Sequence, residues 1–352
     1  MDPESTPIHI LFVGAGAVGC FYASLCHHPA KNVHVSLVCR SNYEAVVRSG
    51  VHLQTRSFGN YHFTPHAVYN SVLAAATSPS CPINGYDYVI VTTKALPDLT
   101  DDSKDIEAII GRSAESKTAI VIIQNGIGVE KPYRERCPLN PIISAVTIVS
   151  AEKLADGVIR QNRWTRISLG PYSDGYGGKT AEMRELAQRG HECATRLAGI
   201  LMGYGKLRDA EVHDERGLQI IRWHKICINA SMNPTAVLSG ELGNADMVQD
   251  SELHIHLKSC MDEVLRAIAV IFEGETLPNL AKPDDILTST SRNKGAKSSM
   301  LIDWQQGRPM EIEVILGNPI RIARAHGVEM PRLQTLYALL KSASRMRAKA
   351  RE

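Results

Sequence analysis

At 352 residues, with 44% hydrophobic and 22% charged side chains, the chain has the make-up of a soluble globular protein of two domains. Lysine plus arginine (39) barely exceeds aspartate plus glutamate (37), and the net charge of +2 argues against a nucleic-acid binder held by bulk electrostatics. No apolar run approaches the ~18 residues needed to span a bilayer, and Met1–Ser5 is acidic and polar where a signal peptide needs a basic, then greasy, start. Eight scattered cysteines without a Cys-x-x-Cys pair suggest reduced thiols in a cytoplasmic protein. In chain order, residues 8–13 read as a buried strand closed by Gly14, and 17–28 as a helix. Residues 33–39, 87–92 and 119–123 read as further strands, with helical patterns over 98–112 and 128–136. This alternation predicts parallel βαβ units in a doubly wound sheet. Residues 142–169 read as a hairpin or meander extending that sheet, broken at Asp156-Gly157 and Asn162-Arg163.

Residues 171–178 are a loop of turn formers, followed by a helix over 179–202 that Gly203 and Gly205 end. After Leu207 the β-pattern disappears. Helical periods cover 212–232, 246–273, 296–306 and 310–326, with breaks at Pro234, Pro278, Pro283 and Gly307. The expected fold is therefore an α/β Rossmann-type dinucleotide-binding domain over 1–208 and an all-α domain over 209–352. The tail after Leu340 (Lys341, Arg345, Arg347, Lys349, Arg351) reads as a basic, solvated, frayed helix end.

Gly14-Ala15-Gly16-Ala17-Val18-Gly19 satisfies G-x-G-x-x-G between a strand and a helix. The first glycine permits a tight turn, the second lets backbone approach a pyrophosphate, and the third lets helix and strand pack closely. The helix start supplies N–H donors to phosphate. An NAD site would place Asp or Glu after the second strand; here stand Cys39-Arg40-Ser41-Asn42. A guanidinium with hydroxyl and amide donors beside it suits a 2′-phosphate, so NADPH/NADP+ is the expected cofactor.

Lys94 ends the third of these strands, at the carboxyl edge where open α/β sheets bind ligands, and Gln124-Asn125-Gly126 ends the fourth likewise. Lys225, Asn229 and Asn233 recur at four-residue spacing, which stacks them on one face of an otherwise apolar helix. The histidines show no ligand spacing, and neither H-E-x-x-H nor a cysteine cluster occurs, so no metal site is expected.

In order and spacing, these segments resemble the ketopantoate reductase family over nearly the whole chain. The likeness includes the glycine loop, Lys94 in Thr-Lys-Ala, Asn125-Gly126, and Lys225-x-x-x-Asn229-x-x-x-Asn233-Pro234. It continues through Ser298-Ser299-Met300, Glu311 in Met-Glu-Ile-Glu, and Ala325-His326-Gly327-Val328 with Pro331. The resemblance implies Lys225 as proton donor and Asn229, Asn233 and Ser299 as substrate ligands. It puts Asn125 and Glu311 where cofactor and substrate meet, and Arg40 on the 2′-phosphate. Lys94 and Ala151 are counted with the cofactor positions, and Glu311 also with the catalytic residues, as orienter of Lys225 or of the cofactor ribose. The expected activity is NADPH-dependent reduction of a 2-keto acid, ketopantoate to pantoate, in pantothenate synthesis. The partner is that small molecule, with neither nucleic acid nor membrane, and the helical domain can present a face for a homodimer.

The chain also departs from the family. A longer connection, His27-His28-Pro29-Ala30-Lys31, precedes the second strand, and extra sequence occupies 152–157 and 171–191. Two alternatives stay open: a paralogue reducing another keto substrate, for example in secondary metabolism, and a regulatory protein that senses NADPH without chemistry. The second would keep the glycine loop and lose the proton donor.

Overall fold

The branched run Ile-His-Ile-Leu-Phe-Val forms β1 (Ile8–Val13), and its apolar character reflects burial on both faces of a parallel sheet. In the computed structural model, residues 6–110, 117–277 and 280–349 are described. Met1–Ser5, the last two positions of the helix expected over 98–112, the break at Pro278, and Arg351 lie outside them. Contacts divide the chain into two units: 1–94, 101–124 and 130–218 form one, and 95–100, 125–129 and 219–352 the other.

The first unit carries one sheet. Its strands are β1, β2 (Val33–Val38), β3 (Val51–Thr55), β4 (Gly59–Phe63), β5 (Val68–Tyr69), β6 (Tyr88–Val91), β7 (Ala119–Ile122), β8 (Ile142–Ala155), β9 (Val158–Pro171) and β10 (Ala210–Val212). Their order is β4-β3-β9-β8-β7-β6-β1-β2-β5, with β10 beside β9. The run from β8 to β5 is parallel, as the alternating pattern predicts. The β8–β9 hairpin turns at Asp156-Gly157 and extends the sheet. Helix Ala17–Cys26 packs Phe21 and Tyr22 into a core with Ile10, Phe12, Leu37 and Ile90.

Several local expectations are corrected. β3, β4, β5 and β10 are additional strands, and β10 continues the β-structure beyond Leu207 with three residues, too few to leave a sequence period. No break occurs at Asn162-Arg163; the register shifts there around Trp164, whose φ is +52°, so the strand bulges and goes on. The loop expected over 171–178 begins one residue later, since Pro171 still belongs to β9, and it is tied to a helix start. The Glu215 carboxylate accepts N–H bonds from Ser173, Asp174 and Gly175, and that of Asp174 accepts those of Tyr176, Gly178 and Lys179.

The second unit is helical. Helix Glu215–Leu238, whose first turn belongs to the first unit, runs through Pro234 instead of breaking there. The expected 246–273 helix is two, Asn244–Gln249 and Ser251–Ile271, because Asp250 caps the second by accepting from the amides of Glu252 and Leu253. The 310–326 stretch begins as a π-helical turn, Glu313–Gly317, and continues as Asn318–Ala325. The basic tail is ordered too: helix Pro331–Lys349 lays the Arg347 guanidinium 4.2 Å from the Trp304 ring, and Lys341 bonds Glu313. Among the described residues no helix is long and apolar enough to cross a membrane.

Candidate active site

In the first unit the glycine loop has the geometry its sequence demands. Gly14 stands at φ +108°, and a Cβ on Gly19 would lie 2.1 Å from the Gly14 carbonyl oxygen, so both positions need glycine. A Cβ on Gly16 would meet nothing within 4 Å, which leaves open space before the first turn of helix Ala17–Cys26. That combination of an exposed Gly16, a helix N-terminus and room suits a pyrophosphate. Thr92, just after β6, donates its hydroxyl to the Gly14 carbonyl and fixes the turn from below. Asn42, read as a phosphate donor from sequence, is buried and donates instead to the Ala15 carbonyl at 2.8 Å. Arg40 is exposed and forms a 3.4 Å ion pair with Asp105. Lys94 is half-buried beyond the end of β6, and Ala151 sits in β8 opposite Gln161, beside a register shift.

In the second unit three sequence-distant side chains meet. Lys225 Nζ donates to Asn125 Oδ1 at 2.8 Å, and Asn125 Nδ2 donates to Glu311 Oε2 at 3.2 Å. The other Glu311 oxygen, Oε1, accepts the Ala95 N–H at 3.1 Å. Glu311 is buried, so this carboxylate is held at both oxygens and in turn holds the Asn125 amide. Desolvation lowers the Lys225 ammonium to about 8, with the Arg222 cation adding to the fall and Glu311 opposing it. A lysine so tuned can stabilise a developing alkoxide and give up its proton near neutral pH.

The backbone around this cluster is equally constrained. Gly126 has φ +99°, and a Cβ there would meet Val314 Cβ at 2.4 Å. The Ile127 N–H donates to the Val314 carbonyl at 2.9 Å, and Asn318 Nδ2 to the Ile127 carbonyl at 2.8 Å. The π-helical turn thus clasps segment 125–129, and such turns recur at functional sites. Asn229 and Asn233 follow Lys225 on the same helix at one-turn intervals, the first half-buried and the second buried. Ser299 opens helix Ser299–Gln305 and is exposed, while its neighbour Ser298 caps that helix by accepting from the Leu301 amide. Among the described residues none of Asn229, Asn233 and Ser299 makes a side-chain hydrogen bond, so all three keep donors and acceptors for a ligand.

Two participants escaped the sequence reading. One is the Ala95 amide, which has no side-chain signature. The other is Arg222, 3% exposed, whose guanidinium donates to the Gly126 carbonyl at 3.1 Å. Its signal was available: an arginine three residues before Lys225 in an apolar helix lies on the same face.

Two family models match the chain. "Ketopantoate reductase PanE/ApbA" covers residues 10–174, and "Ketopantoate reductase PanE/ApbA C terminal" covers 218–344. A relative named 2-dehydropantoate 2-reductase, from Nostoc sp., is 27% identical over 94% of this chain and 93% of its own. An uncharacterized protein of Saccharomyces cerevisiae is 30% identical over 94% of this chain and 92% of its own. The crystal structure of 2-dehydropantoate 2-reductase from Methylococcus capsulatus superposes with a TM-score of 0.75 at 29% identity, covering 96% of both chains. With both family models matched and this likeness running the length of the chain, the protein belongs to the ketopantoate reductase family and is an oxidoreductase of CH–OH/C=O groups that uses a nicotinamide dinucleotide.

Proposed function

We propose that the protein reduces a 2-keto acid with NADPH, ketopantoate to pantoate being the first candidate, as a step of pantothenate synthesis in the cytoplasm. The observation that carries this reading is the Lys225–Asn125–Glu311 chain, which presents a low-pKa ammonium in a fixed position. The names of the Nostoc and Methylococcus relatives support ketopantoate, and eight free thiols suit a reducing compartment.

The glycine loop 14–19 would hold the pyrophosphate, with Lys94 and Ala151 as further cofactor contacts. Arg40 would exchange Asp105 for the 2′-phosphate, which makes NADPH the preferred form. The bound dinucleotide supplies a hydride to the carbonyl carbon. Lys225 meets the charge that then develops on the carbonyl oxygen and passes its proton to that atom. Asn125 keeps the ammonium aimed and offers an amide to cofactor or substrate. Glu311 acts through Asn125, holding it in one orientation. Asn229 and Asn233 take a substrate hydroxyl, and Ser299 a carboxylate oxygen. The helical unit would also provide the face of a homodimer.

The test follows NADPH and NADH oxidation with ketopantoate and with a panel of other 2-keto acids and β-keto compounds. Fastest turnover with ketopantoate and NADPH is expected. Faster turnover of another ketone would reassign the substrate, and failure to oxidise either nucleotide with any of them would overturn the reading.

A further inference from the structure

The lengthened connection His27-His28-Pro29-Ala30-Lys31 has no place in the chemistry above, yet its two histidines line a cleft of about 870 Å³ in the first unit. That volume lies within the range of small-molecule sites. The cleft opens at the C-terminal end of helix Ala17–Cys26, whereas the glycine loop occupies the N-terminal end. Ten residues at the helical rise separate the two by about 15 Å.

Its walls are aromatic: Phe58, Tyr61, Phe63 and Tyr204. Tyr204 is 42% exposed, and its ring lies 5.5 Å from that of His28. Tyr61 shares a 2.8 Å hydrogen bond with Ser24, which fixes its orientation. Lys206 and Arg208 are exposed members of the lining, and among the described residues no carboxylate lines the cleft. Among the described residues neither cation forms an ion pair, while neighbouring Asp209 is held by the Thr165 hydroxyl at 2.7 Å. His27 accepts the Val35 N–H at Nδ1, which leaves its proton on Nε2; burial and three nearby histidines push its pKa down to about 4. It is therefore a neutral donor.

The backbone is arranged to close this cleft. A Cβ on Gly205 would lie 2.5 Å from the Leu25 carbonyl oxygen, so glycine alone lets segment 204–208 approach the helix end. The next residue, Lys206, is held at φ +56°, a strained conformation for a side chain of its kind. Aromatic walls favour a flat ring, and two unpaired cations in the lining favour an oxyanion.

We propose that this cleft is a second small-molecule site, distinct from the dinucleotide loop, for an aromatic ring bearing a phosphate or carboxylate. Calorimetry on the full chain saturated with NADP+, so that the glycine loop is filled, tests it with AMP, 4-hydroxybenzoate and inorganic phosphate as probes. One site per chain is expected for AMP, for 4-hydroxybenzoate or for both, and which of them binds identifies the oxyanion. Phosphate alone should bind at least about tenfold more weakly, for want of the ring. The double variant Lys206→Glu/Arg208→Glu should weaken binding about tenfold or more, with NADP+ affinity and melting temperature unchanged, because both side chains are exposed. Tyr204→Ala should weaken the aromatic probes and leave phosphate unaffected. No binding of either aromatic probe, equal binding to the charge-reversed protein, or phosphate as tight as AMP would overturn the proposal.

Discussion

At residues 14–19 the groups proposed to hold the cofactor are backbone amides, and their positions follow from six consecutive residues and the strand before them. At Lys225 the group proposed to act is one ammonium, positioned by Asn125 and Glu311, which lie 100 and 86 residues away in the chain and 186 from each other. The first kind of site is tolerant of side-chain chemistry and intolerant of volume: Gly19 has no space for a methyl group. The second is intolerant of any change in charge or hydrogen-bonding capacity as well, since a buried polar group left without its partner costs about 1–3 kcal/mol. Substitutions in the two places should therefore fail in different ways.

The largest effect should come from Lys225→Ala. General acid catalysis contributes about 10²–10⁴ in rate, so turnover should fall on that scale while dinucleotide affinity stays nearly intact. Lys225→Arg should restore little, because guanidinium keeps its proton. Single-turnover kinetics beside dinucleotide titration checks this, and turnover within about threefold of the parent, far short of a lost general acid, would remove Lys225 from the mechanism.

Arg40→Ala should lower the preference for NADPH over NADH about ten- to a hundredfold, the worth of one charge-assisted contact. Equal losses with both nucleotides would mean that Arg40 supports the fold through Asp105 rather than reading the 2′-phosphate. Gly19→Ala should act through volume, destabilising the protein by about 1–3 kcal/mol and weakening both nucleotides alike. A denaturant melt and paired nucleotide titrations check it; a normal melt with normal binding would show that the loop can yield.

The smallest effect is the most diagnostic of the second site. Lys225 must carry its proton to act as an acid, so turnover should be level below about pH 8 and fall above it. The Arg222 cation lowers the Lys225 pKa, and Arg222→Gln should move that alkaline limb to higher pH. A limb that stays in place would leave Arg222 as a support for the Gly126 carbonyl alone.

Much of this was legible in sequence because it rests on local rules. The glycine loop follows a buried strand and opens a helix, and each step needs only neighbours in the chain. The Lys225, Asn229 and Asn233 face follows from helical spacing alone. Less legible were elements shaped by weaker signals. β3 does alternate, with Val51, Leu53 and Thr55 buried and His52 and Gln54 exposed, but it lacks the unbroken apolar run that marks β6 and β7. Pro234 lies inside helix Glu215–Leu238, although local propensity opposes it.

By itself, then, the sequence determined the class of fold, the geometry of the glycine loop, and the polar face of one helix, since periodicity and glycine stereochemistry act between residues close along the chain. Only the tertiary structure decided that Glu311 holds Asn125 and the Ala95 amide, and that Asn42 serves the loop instead of a phosphate. Hydrogen bonds and Coulomb forces depend on distance in space, and no spacing along the chain encodes a contact made across 186 residues.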